Sequence, residues 1–326
     1  MSIPNFFILG ATGYIGGTVL TRFLERSDIT SSKITALVRS PEKAAIFASF
    51  GINAVIGSHT DGQLVEKLAS EADVVVSMAD ADYLPAIQAI LRGLKMRHET
   101  TGTVPILIHT SGTGVLGDKA LGAYLSDTIY DDANPEQIGS LPVTQPHRTY
   151  IILPSTIYGF ATTKFAELGI QNNRSIQIPL LVKAALARGE GGTVGAGKNV
   201  WNDVHIDDLA DLYLVLYDSI KKNPTGTGHG REGYYFGENG THSLYEVGKA
   251  IAMALIELGK GTNPEPTPFT KEETDKYFGE YTSPGFGCNS RAAANRSRSI
   301  GWRPKYTTKD LLASIKAEVE ASLRGI

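Results

Sequence analysis

The sequence predicts an α/β protein with a doubly wound, mainly parallel sheet and a smaller C-terminal lobe. In the first 160 residues, short apolar segments alternate with helical patterns, as in chains that form parallel sheets. The apolar segments are nearly continuous, which is typical of strands buried on both faces. Strands are expected at 5–9, 33–38, 53–57, 72–78, 104–110 and 149–154, and helices at about 14–26, 41–50, 61–70 and 83–99.

After residue 159 the alternation weakens. Two segments rich in glycine and polar residues, 188–203 and 221–233, flank a helical pattern at 204–222, and 234–237 can return a strand to the sheet. Helices at about 243–258 and 307–323 are expected outside the sheet. The division predicted is a Rossmann-type domain over 1–159 plus 200–240, and a substrate-binding lobe over 160–199 plus 241–326.

Composition limits the possible partners and compartments. A net charge of −3 over 326 residues gives no reason to expect a nucleic acid or a membrane surface as partner. The single cysteine, Cys288, can form no internal disulfide and no metal cluster, so a reducing compartment is expected and no metal is predicted. The first 13 residues lack the pattern of a signal peptide, and no apolar run reaches the ~18 residues that span a bilayer. We expect a cytoplasmic protein.

The first glycine-rich turn, "GATGYIGG" at 10–17, predicts a dinucleotide site. Gly10 permits a tight turn after the first strand, and Gly13 lets the backbone approach a pyrophosphate. Gly16 lets the following helix pack closely against the strand. The N–H groups at the start of that helix are then available to phosphate oxygens.

The end of the second predicted strand indicates which dinucleotide is preferred. An acidic residue there would bind the ribose hydroxyls of NAD, but this chain has Arg39 and Ser40. A guanidinium pairs with a phosphate through two hydrogen bonds, so NADP(H) is favoured over NAD(H). Lys43 can add positive charge to the same site. The alternative is that Arg39 is only a solvated surface charge.

Several motifs together resemble those of the extended and atypical short-chain dehydrogenase/reductases, which include NAD-dependent epimerase/dehydratases and NmrA-like proteins. The resemblance covers almost the whole chain and is specific for the fold, but not for one reaction. The motifs are "GATGYIGG" (10–17), "ALVRSPEKA" (36–44), "ADVVVSMAD" (72–80), "HTSGTGVLG" (109–117), "ILPSTIYG" (152–159), "NDVHIDDLADLYLVL" (202–216) and "GWRP" (301–304).

The resemblance implies four groups of cofactor contacts. The pyrophosphate would be held by Gly10, Thr12, Gly13, Tyr14 and Ile15. The ribose nearer the nicotinamide would lie along Ser77, Met78 and Ala79. Thr110 and Ser111 would face the reactive edge of the nicotinamide, and Pro154, Ser155, Thr156 and Ile157 would contact its carboxamide side. The segment "VHIDD" (204–208) is expected to support the lobe rather than to catalyse.

The resemblance also makes Ser111 the candidate catalytic residue. In a working relative, a serine orients the substrate carbonyl while a tyrosine and a lysine four residues later exchange the proton. Two Tyr-x-x-x-Lys sequences occur, Tyr217–Lys221 and Tyr245–Lys249, but both lie far along the chain from Ser111. We interpret both as chance matches.

The connection that normally carries this pair is short. Residues 139–154, "GSLPVTQPHRTYIILP", leave little room before the next strand for a helix of about three turns. The proton donor is therefore not identified. Because extended members often dimerise through that helix, a monomer is favoured over a dimer. Other polar residues near the expected cleft are more easily explained by packing, capping or surface positions: Tyr124, Tyr130, Asp131, Asp132, Tyr158 and Lys164.

Two functional hypotheses follow. The first is an NADP(H)-dependent oxidoreductase or epimerase-type enzyme that acts on a small carbonyl or hydroxyl compound. The second is an NmrA-like sensor or regulator that binds NADP(H) without turnover, which would agree with the incomplete catalytic set. The sequence favours the enzyme, because the second lobe and "PSTIYG" resemble the substrate-binding members more closely.

Overall fold

The computed structural model describes residues 4–138 and 148–325. Its strands are β1 Asn5–Leu9, β2 Lys33–Val38, β3 Asn53–Ile56, β4 Val74–Ser77, β5 Ile106–Thr110, β6 Tyr130–Asp131, β7 Arg148–Pro154, β8 Thr156–Tyr158, β9 Gly192–Thr193, β10 Val200–His205, β11 Tyr234–Gly237, β12 Thr241–Ser243, β13 Thr267–Pro268 and β14 Ala292–Ala293.

The helices alternate with these strands in the first half and dominate the second. They are α1 Tyr14–Leu24, α2 Pro41–Ser49, α3 Gly62–Ser70, α4 Leu84–Thr101, α5 Pro135–Ile138, α6 Lys164–Glu167, α7 Gln177–Arg188, α8 Ile206–Lys222, α9 Leu244–Glu257, α10 Lys271–Tyr277, α11 Asn295–Ser299 and α12 Thr308–Leu323. A π-helical turn covers Thr282–Gly287.

Seven strands form one sheet in the order β11-β7-β5-β4-β1-β2-β3, and every neighbouring pair is parallel. The chain starts at β1 near the middle, proceeds to one edge, and then crosses to the other, which is the doubly wound arrangement. The predicted fold class is confirmed. The predicted strand at 234–237 joins the edge of this sheet beside β7.

Both faces of the sheet are buried, and β1 contributes side chains to each of them, since successive residues of a strand point to opposite faces. Phe6 and Ile8 belong to the core cluster that includes residues of α1 and α8. Phe7 and Leu9 belong to the cluster that includes residues of α3 and α4. This explains why β1 is apolar at each position from Phe6 to Leu9 instead of alternating with polar residues.

A further core cluster lies outside the large sheet. It contains buried residues of α7, α9 and α12, among them Leu181, Val247, Leu255 and Ile315. A small sheet with the order β12-β10-β8 contributes Tyr158 to this cluster and Val204 to the cluster that contains Phe6 and Ile8.

The "VHIDD" and "GWRP" segments meet at the start of α8. His205 caps this helix by accepting a hydrogen bond from the Asp207 N–H at 3.2 Å. Asp208 is buried and accepts hydrogen bonds from the backbone N–H groups of Lys305 and Tyr306, both at 2.9 Å. Its carbonyl accepts from Trp302 Nε1 at 2.7 Å. These contacts agree with the supporting role expected for this segment.

The connection from Ser111 to β7 has little regular structure in its described part. It contains a 3-10 turn at Thr113–Leu116, the two residues of β6 and the four residues of α5. Within 112–138 no helix is longer than those four residues. The rest of the short connection, 139–147, lies outside the described residues, so the prediction of a missing helix there stays a prediction.

Candidate cofactor cleft

The turn between β1 and α1 requires glycine at two positions. Gly10 has φ of +90°, and a Cβ there would lie 2.6 Å from the backbone carbon of Met78. A Cβ on Gly16 would lie 2.7 Å from the backbone carbon of Gly10. Strand, turn and helix therefore pack too closely for any side chain.

The N-terminus of α1 is suited to an anion. Gly13 is the N-cap, no side chain caps the helix, and the first turn carries no acidic residue. Its first N–H groups and the positive end of the helix dipole are consequently available to a phosphate. The N-terminus of this eleven-residue helix is therefore suited to bind the pyrophosphate of a dinucleotide.

A cleft of about 400 Å³ extends from this turn towards the end of β2. Six predicted cofactor residues line it: Gly10, Thr12, Gly13, Arg39, Met78 and Ala79. The side chain of Arg39 is exposed at this cleft. Sequence reasoning missed the seven other lining residues, which are Leu9, Leu37, Val38, Gly57, His59, Asp80 and Ile176.

A second cleft of about 380 Å³ continues in the opposite direction, towards β8. The predicted residues that line it are Gly13, Tyr14, Ile15, Met78, Ser155, Thr156 and Ile157. Both clefts share Gly13, Met78 and Ile176. They therefore form one groove along the carboxyl ends of the central strands, which is where doubly wound folds bind ligands.

Ser40 and Lys43 do not line this groove. Ser40 is the N-cap of α2, where its hydroxyl oxygen accepts from the Lys43 N–H at 3.3 Å and its O–H donates to Glu42. Both residues nevertheless follow Arg39 closely. A phosphate at Arg39 would have the start of α2 beside it.

Ser77, Thr110, Ser111 and Pro154 also lie outside the lining. The Thr110 hydroxyl is buried and pairs with the hydroxyl of Tyr213 at 2.6 Å, so it is engaged with α8. Ser111 directly follows β5, is half-buried, and its N–H donates to the Ile152 carbonyl at 2.9 Å.

The tyrosines closest to the groove make hydrogen bonds elsewhere. The Tyr14 hydroxyl donates to the Gly159 carbonyl, and the Tyr158 hydroxyl donates to the Thr307 carbonyl at 2.8 Å. Burial raises the pKa of both phenols well above the ordinary value. In this arrangement neither phenol is prepared to exchange a proton near neutral pH.

Neither Tyr-x-x-x-Lys sequence contributes a residue to the lining of the groove. Tyr217 is buried against Phe6 and Phe23, and burial raises its pKa to about 12. Lys221 pairs with Asp28 at 2.7 Å.

The second pair, Tyr245 and Lys249, lies on α9, and both side chains contact Glu265. Tyr124, Tyr130 and Lys164 do not line the groove either. Tyr124 is exposed, Tyr130 lies in β6, and Lys164 pairs with Glu167 at 3.0 Å.

Asp132 is a buried capping residue. Its carboxylate accepts from the backbone N–H groups of Phe236 at 2.9 Å, Arg296 at 2.6 Å and Ser297 at 3.1 Å. Of the two roles considered for it, substrate contact and capping, the structure supports capping. It also connects β6, β11 and α11.

The segment from Asn172 to Gln177 is the main functional element that sequence reasoning missed. The Asn172 N–H donates to the Thr12 carbonyl at 3.0 Å, which attaches the segment to the glycine turn. Five of its residues line the cleft on the β8 side: Asn172, Arg174, Ser175, Ile176 and Gln177. No motif in "NNRSIQ" announces this, because the segment reaches the groove only through the tertiary fold.

Within 4–138 and 148–325, every helix is too short or too polar to span a bilayer. No group of three or more His, Cys, Asp or Glu residues there is arranged to hold a metal ion.

Residues 10–117 match the family model described as NAD(P)H-binding. Oxidase ucsJ of Acremonium sp is 28% identical over 355 residues, covering 97% of this chain and 98% of the relative. An uncharacterized protein of Saccharomyces cerevisiae is 25% identical over 330 residues, covering 95% of this chain and 97% of the relative. Both relatives are therefore similar along almost their whole length.

Solved structures with this fold include UDP-glucose 4-epimerase from Bifidobacterium longum in complex with NAD+ and UDP. It has a TM-score of 0.63 and 17% identity, with 99% of this chain and 100% of that chain covered. The human epimerase family protein SDR39U1 with NADPH has a TM-score of 0.56 and 16% identity, with 97% and 99% covered. Residues 10–117 thus match an NAD(P)H-binding family model and the whole chain shares the fold of these epimerase structures, so the resemblance stated from its motifs is confirmed at the level of fold.

Proposed function

We propose that the protein is an NADP(H)-dependent oxidoreductase or epimerase-type enzyme that acts on a small carbonyl or hydroxyl compound. One observation carries the proposal. The glycine turn, Arg39 and the segment Ser155–Ile157 line a single groove at the carboxyl edge of the sheet. A groove with an uncapped helix N-terminus at its middle and an arginine at one end suits a dinucleotide with an additional phosphate.

Arg39 supports the preference for NADP(H). Its side chain is exposed at the groove directly after β2. The nearby start of α2 adds a helix N-terminus and Lys43 to the surroundings of a phosphate at this position. The structural relatives include one complex with NAD+ and one with NADPH, so this preference depends on the residues of this chain.

When bound, NADPH supplies a hydride to a carbonyl carbon. In the proposal, the groove orients the nicotinamide, and the Ser111 hydroxyl donates a hydrogen bond to the substrate oxygen. Tyr14 and Tyr158 have no part in proton transfer, since their hydroxyls are bonded to backbone carbonyls. In this proposal the proton on the product oxygen comes from water.

The same tyrosine contacts favour a second candidate, a sensor that binds NADP(H) without turning it over. Each tyrosine considered as an acid has another partner, is buried in the core or lies away from the groove. The enzyme is preferred because the groove continues past Gly13 to residues of the outer lobe. The relative named an oxidase, similar over almost the whole chain, also supports it.

Cofactor binding is tested by titrating the protein with NADPH and NADH and following nicotinamide fluorescence. NADPH should bind more tightly. Arg39→Ala should weaken NADPH binding by roughly 10- to 100-fold and leave NADH binding nearly unchanged, because a charged hydrogen-bonded contact contributes about 1.5–3 kcal/mol. Lys33→Ala, at the opposite end of β2, is the matched control. Tighter binding of NADH than of NADPH would contradict the proposed preference.

Turnover is tested by NADPH oxidation with a panel of small aldehydes and ketones. Ser111→Ala should lower kcat by on the order of 100-fold, as expected for loss of one donor to the reacting oxygen, while NADPH affinity stays the same. Ser49→Ala, exposed on α2, is the control. Tight NADPH binding without turnover of any compound would favour the sensor.

A further inference from the structure

We infer that the substrate end of the groove takes an uncharged molecule with an apolar body. Its apolar end enters a recess behind Gln177, where an O–H or N–H group donates a hydrogen bond to Asn199 Oδ1. This inference rests on the proposed function, since it concerns the same groove. It goes further by naming the chemical class of the substrate and by separating it from the diphosphate sugars.

The groove beyond Gly13 carries little charge. Among the described residues that line it, Arg174 is the sole charged side chain. Its guanidinium pairs with the Glu318 carboxylate at 2.8 Å, and the two side chains are only 9% and 2% exposed. It also donates to Ser322 Oγ at 2.8 Å. The charge of Arg174 is thus balanced inside the protein, so a diphosphate would find no uncompensated cation there.

The recess is lined mainly by uncharged side chains. Gln177 lines both the groove and the recess, which extends between α7, β10 and the π-helical turn. Its other lining residues are Leu181, Asn199, Trp201, His242, Leu244, Val247, Gly285 and Phe286. Of these only His242 can ionise, and its Nδ1 lies 3.0 Å from the Asp203 carboxylate. The recess therefore presents aliphatic and aromatic surface, which suits an uncharged apolar group.

The recess also has a hydrogen-bond acceptor without a donor, on the side chain of Asn199. Asn199 is 1% exposed, and its Nδ2 donates to the carbonyls of Phe286 and Cys288, both at 2.9 Å. Its Oδ1 is buried and has no hydrogen-bond partner among the described residues. A buried acceptor without a partner is costly, so this oxygen needs a donor from water or from a ligand. A ligand that carries an O–H or N–H group meets this need.

Gln177 lies where the groove and the recess meet, since it is the one described residue that lines both. Gln177 Oε1 accepts from the Thr156 hydroxyl at 2.6 Å, and Nε2 donates to the Gly285 carbonyl at 2.5 Å. In this closed state the recess has a volume of about 10 Å³, which is the space of about one water molecule. Gly285 belongs to the π-helical turn, a type of structure that occurs often at functional sites. Rotation of Gln177 joins recess and groove.

The experiment measures the binding of three probes to the full chain in the presence of NADPH, by ligand-observed NMR titration. Benzyl alcohol has an aromatic ring and one O–H donor, toluene has the ring alone, and UDP carries the diphosphate. Benzyl alcohol should bind saturably and about three- to tenfold more tightly than toluene, as expected for one hydrogen bond to a buried acceptor. UDP should not compete with it.

Two variants locate the binding. Leu181→Phe fills the recess and should abolish benzyl alcohol binding, whereas Leu168→Phe, on an exposed loop residue, should leave it unchanged. Gln177→Ala removes this side chain and should strengthen benzyl alcohol binding about 30-fold, since its two hydrogen bonds, each of about average strength, no longer have to break. Gln177→Ala also keeps the test valid if Leu181→Phe does not fold.

Several results would overturn the inference. They are unchanged binding in Leu181→Phe, equal affinity for toluene, competition by UDP, or no benzyl alcohol binding by either the natural chain or Gln177→Ala. The last result would mean that the recess holds only water. NADPH binding, measured separately on the natural chain, reports on the proposed function alone. Loss of that binding would refute the proposed function whatever the probes show.

Discussion

The buried Arg174–Glu318 ion pair allows a direct measurement of what charge burial costs this protein. It joins the segment that covers the groove to α12, through hydrogen bonds from Nε at 2.9 Å and from Nη2 at 2.8 Å to Glu318 Oε2. Burial raises the pKa of the Glu318 carboxyl, although Arg174 acts in the opposite direction. The cost of removing the carboxylate from water therefore exceeds what its partner returns.

This balance predicts different results for single and double substitutions. Glu318→Gln leaves a buried guanidinium without its counter-charge, and should lower the free energy of unfolding by about 3–5 kcal/mol. Arg174→Met combined with Glu318→Leu removes both charges, and should leave stability within about 1 kcal/mol of the natural chain or raise it. The pair thus places the segment accurately without adding much net stability.

The measurement is equilibrium unfolding in urea, followed by circular dichroism. The matched control is Glu257→Gln, which breaks the exposed Lys316–Glu257 pair, also at 2.8 Å, and should cost less than about 1 kcal/mol. A loss in Glu318→Gln no larger than in Glu257→Gln would refute the reasoning. So would a double variant that is as unstable as the single one.

Three further predictions concern the glycine turn, a buried histidine and the support of α8. Gly16→Ala should abolish NADPH binding because its Cβ overlaps the turn, whereas Gly62→Ala, with open space around it, should bind normally in the same fluorescence titration. Burial lowers the pKa of His109 to about 4 from 6.5, so the unfolded chain binds a proton between these pH values and the native state does not. Stability should therefore fall by about 3 kcal/mol as the pH drops from 6.5 to 4, and urea unfolding of His109→Gln over this range should lack that component. Asp208→Ala leaves two backbone N–H groups without their acceptor and should cost about 2–4 kcal/mol in urea unfolding, and an unchanged transition midpoint would contradict this.

Most of the sheet could be predicted from the sequence because strand and helix periodicities are local properties. The predicted helix at 41–50 is Pro41–Ser49, and the predicted strand at 33–38 is Lys33–Val38. One boundary differs because of pairing with distant strands. The helical pattern at 204–222 begins only at Ile206, because residues 200–205 pair with β8 and β12 as a strand.

The candidate site was predictable where a backbone requirement fixes the residue type. Gly10 and Gly16 announce the turn because their neighbours leave no space for a side chain. Arg39 was found because it directly follows a strand end. By contrast, Gln177 and Asn199 carry no local signal. Their possible roles depend on contacts with Gly285 and Phe286, more than 80 residues away.

By itself, the sequence determined the parallel sheet, the position of the glycine turn and the charge at the end of β2, since each depends on neighbouring residues in the chain. Only the tertiary structure decided that the segment Asn172–Gln177 covers the groove, that Arg174 is neutralised by Glu318, and that an apolar recess adjoins Gln177. The physical reason is that burial and charge compensation depend on which distant segments meet, and local periodicity contains no information about that meeting.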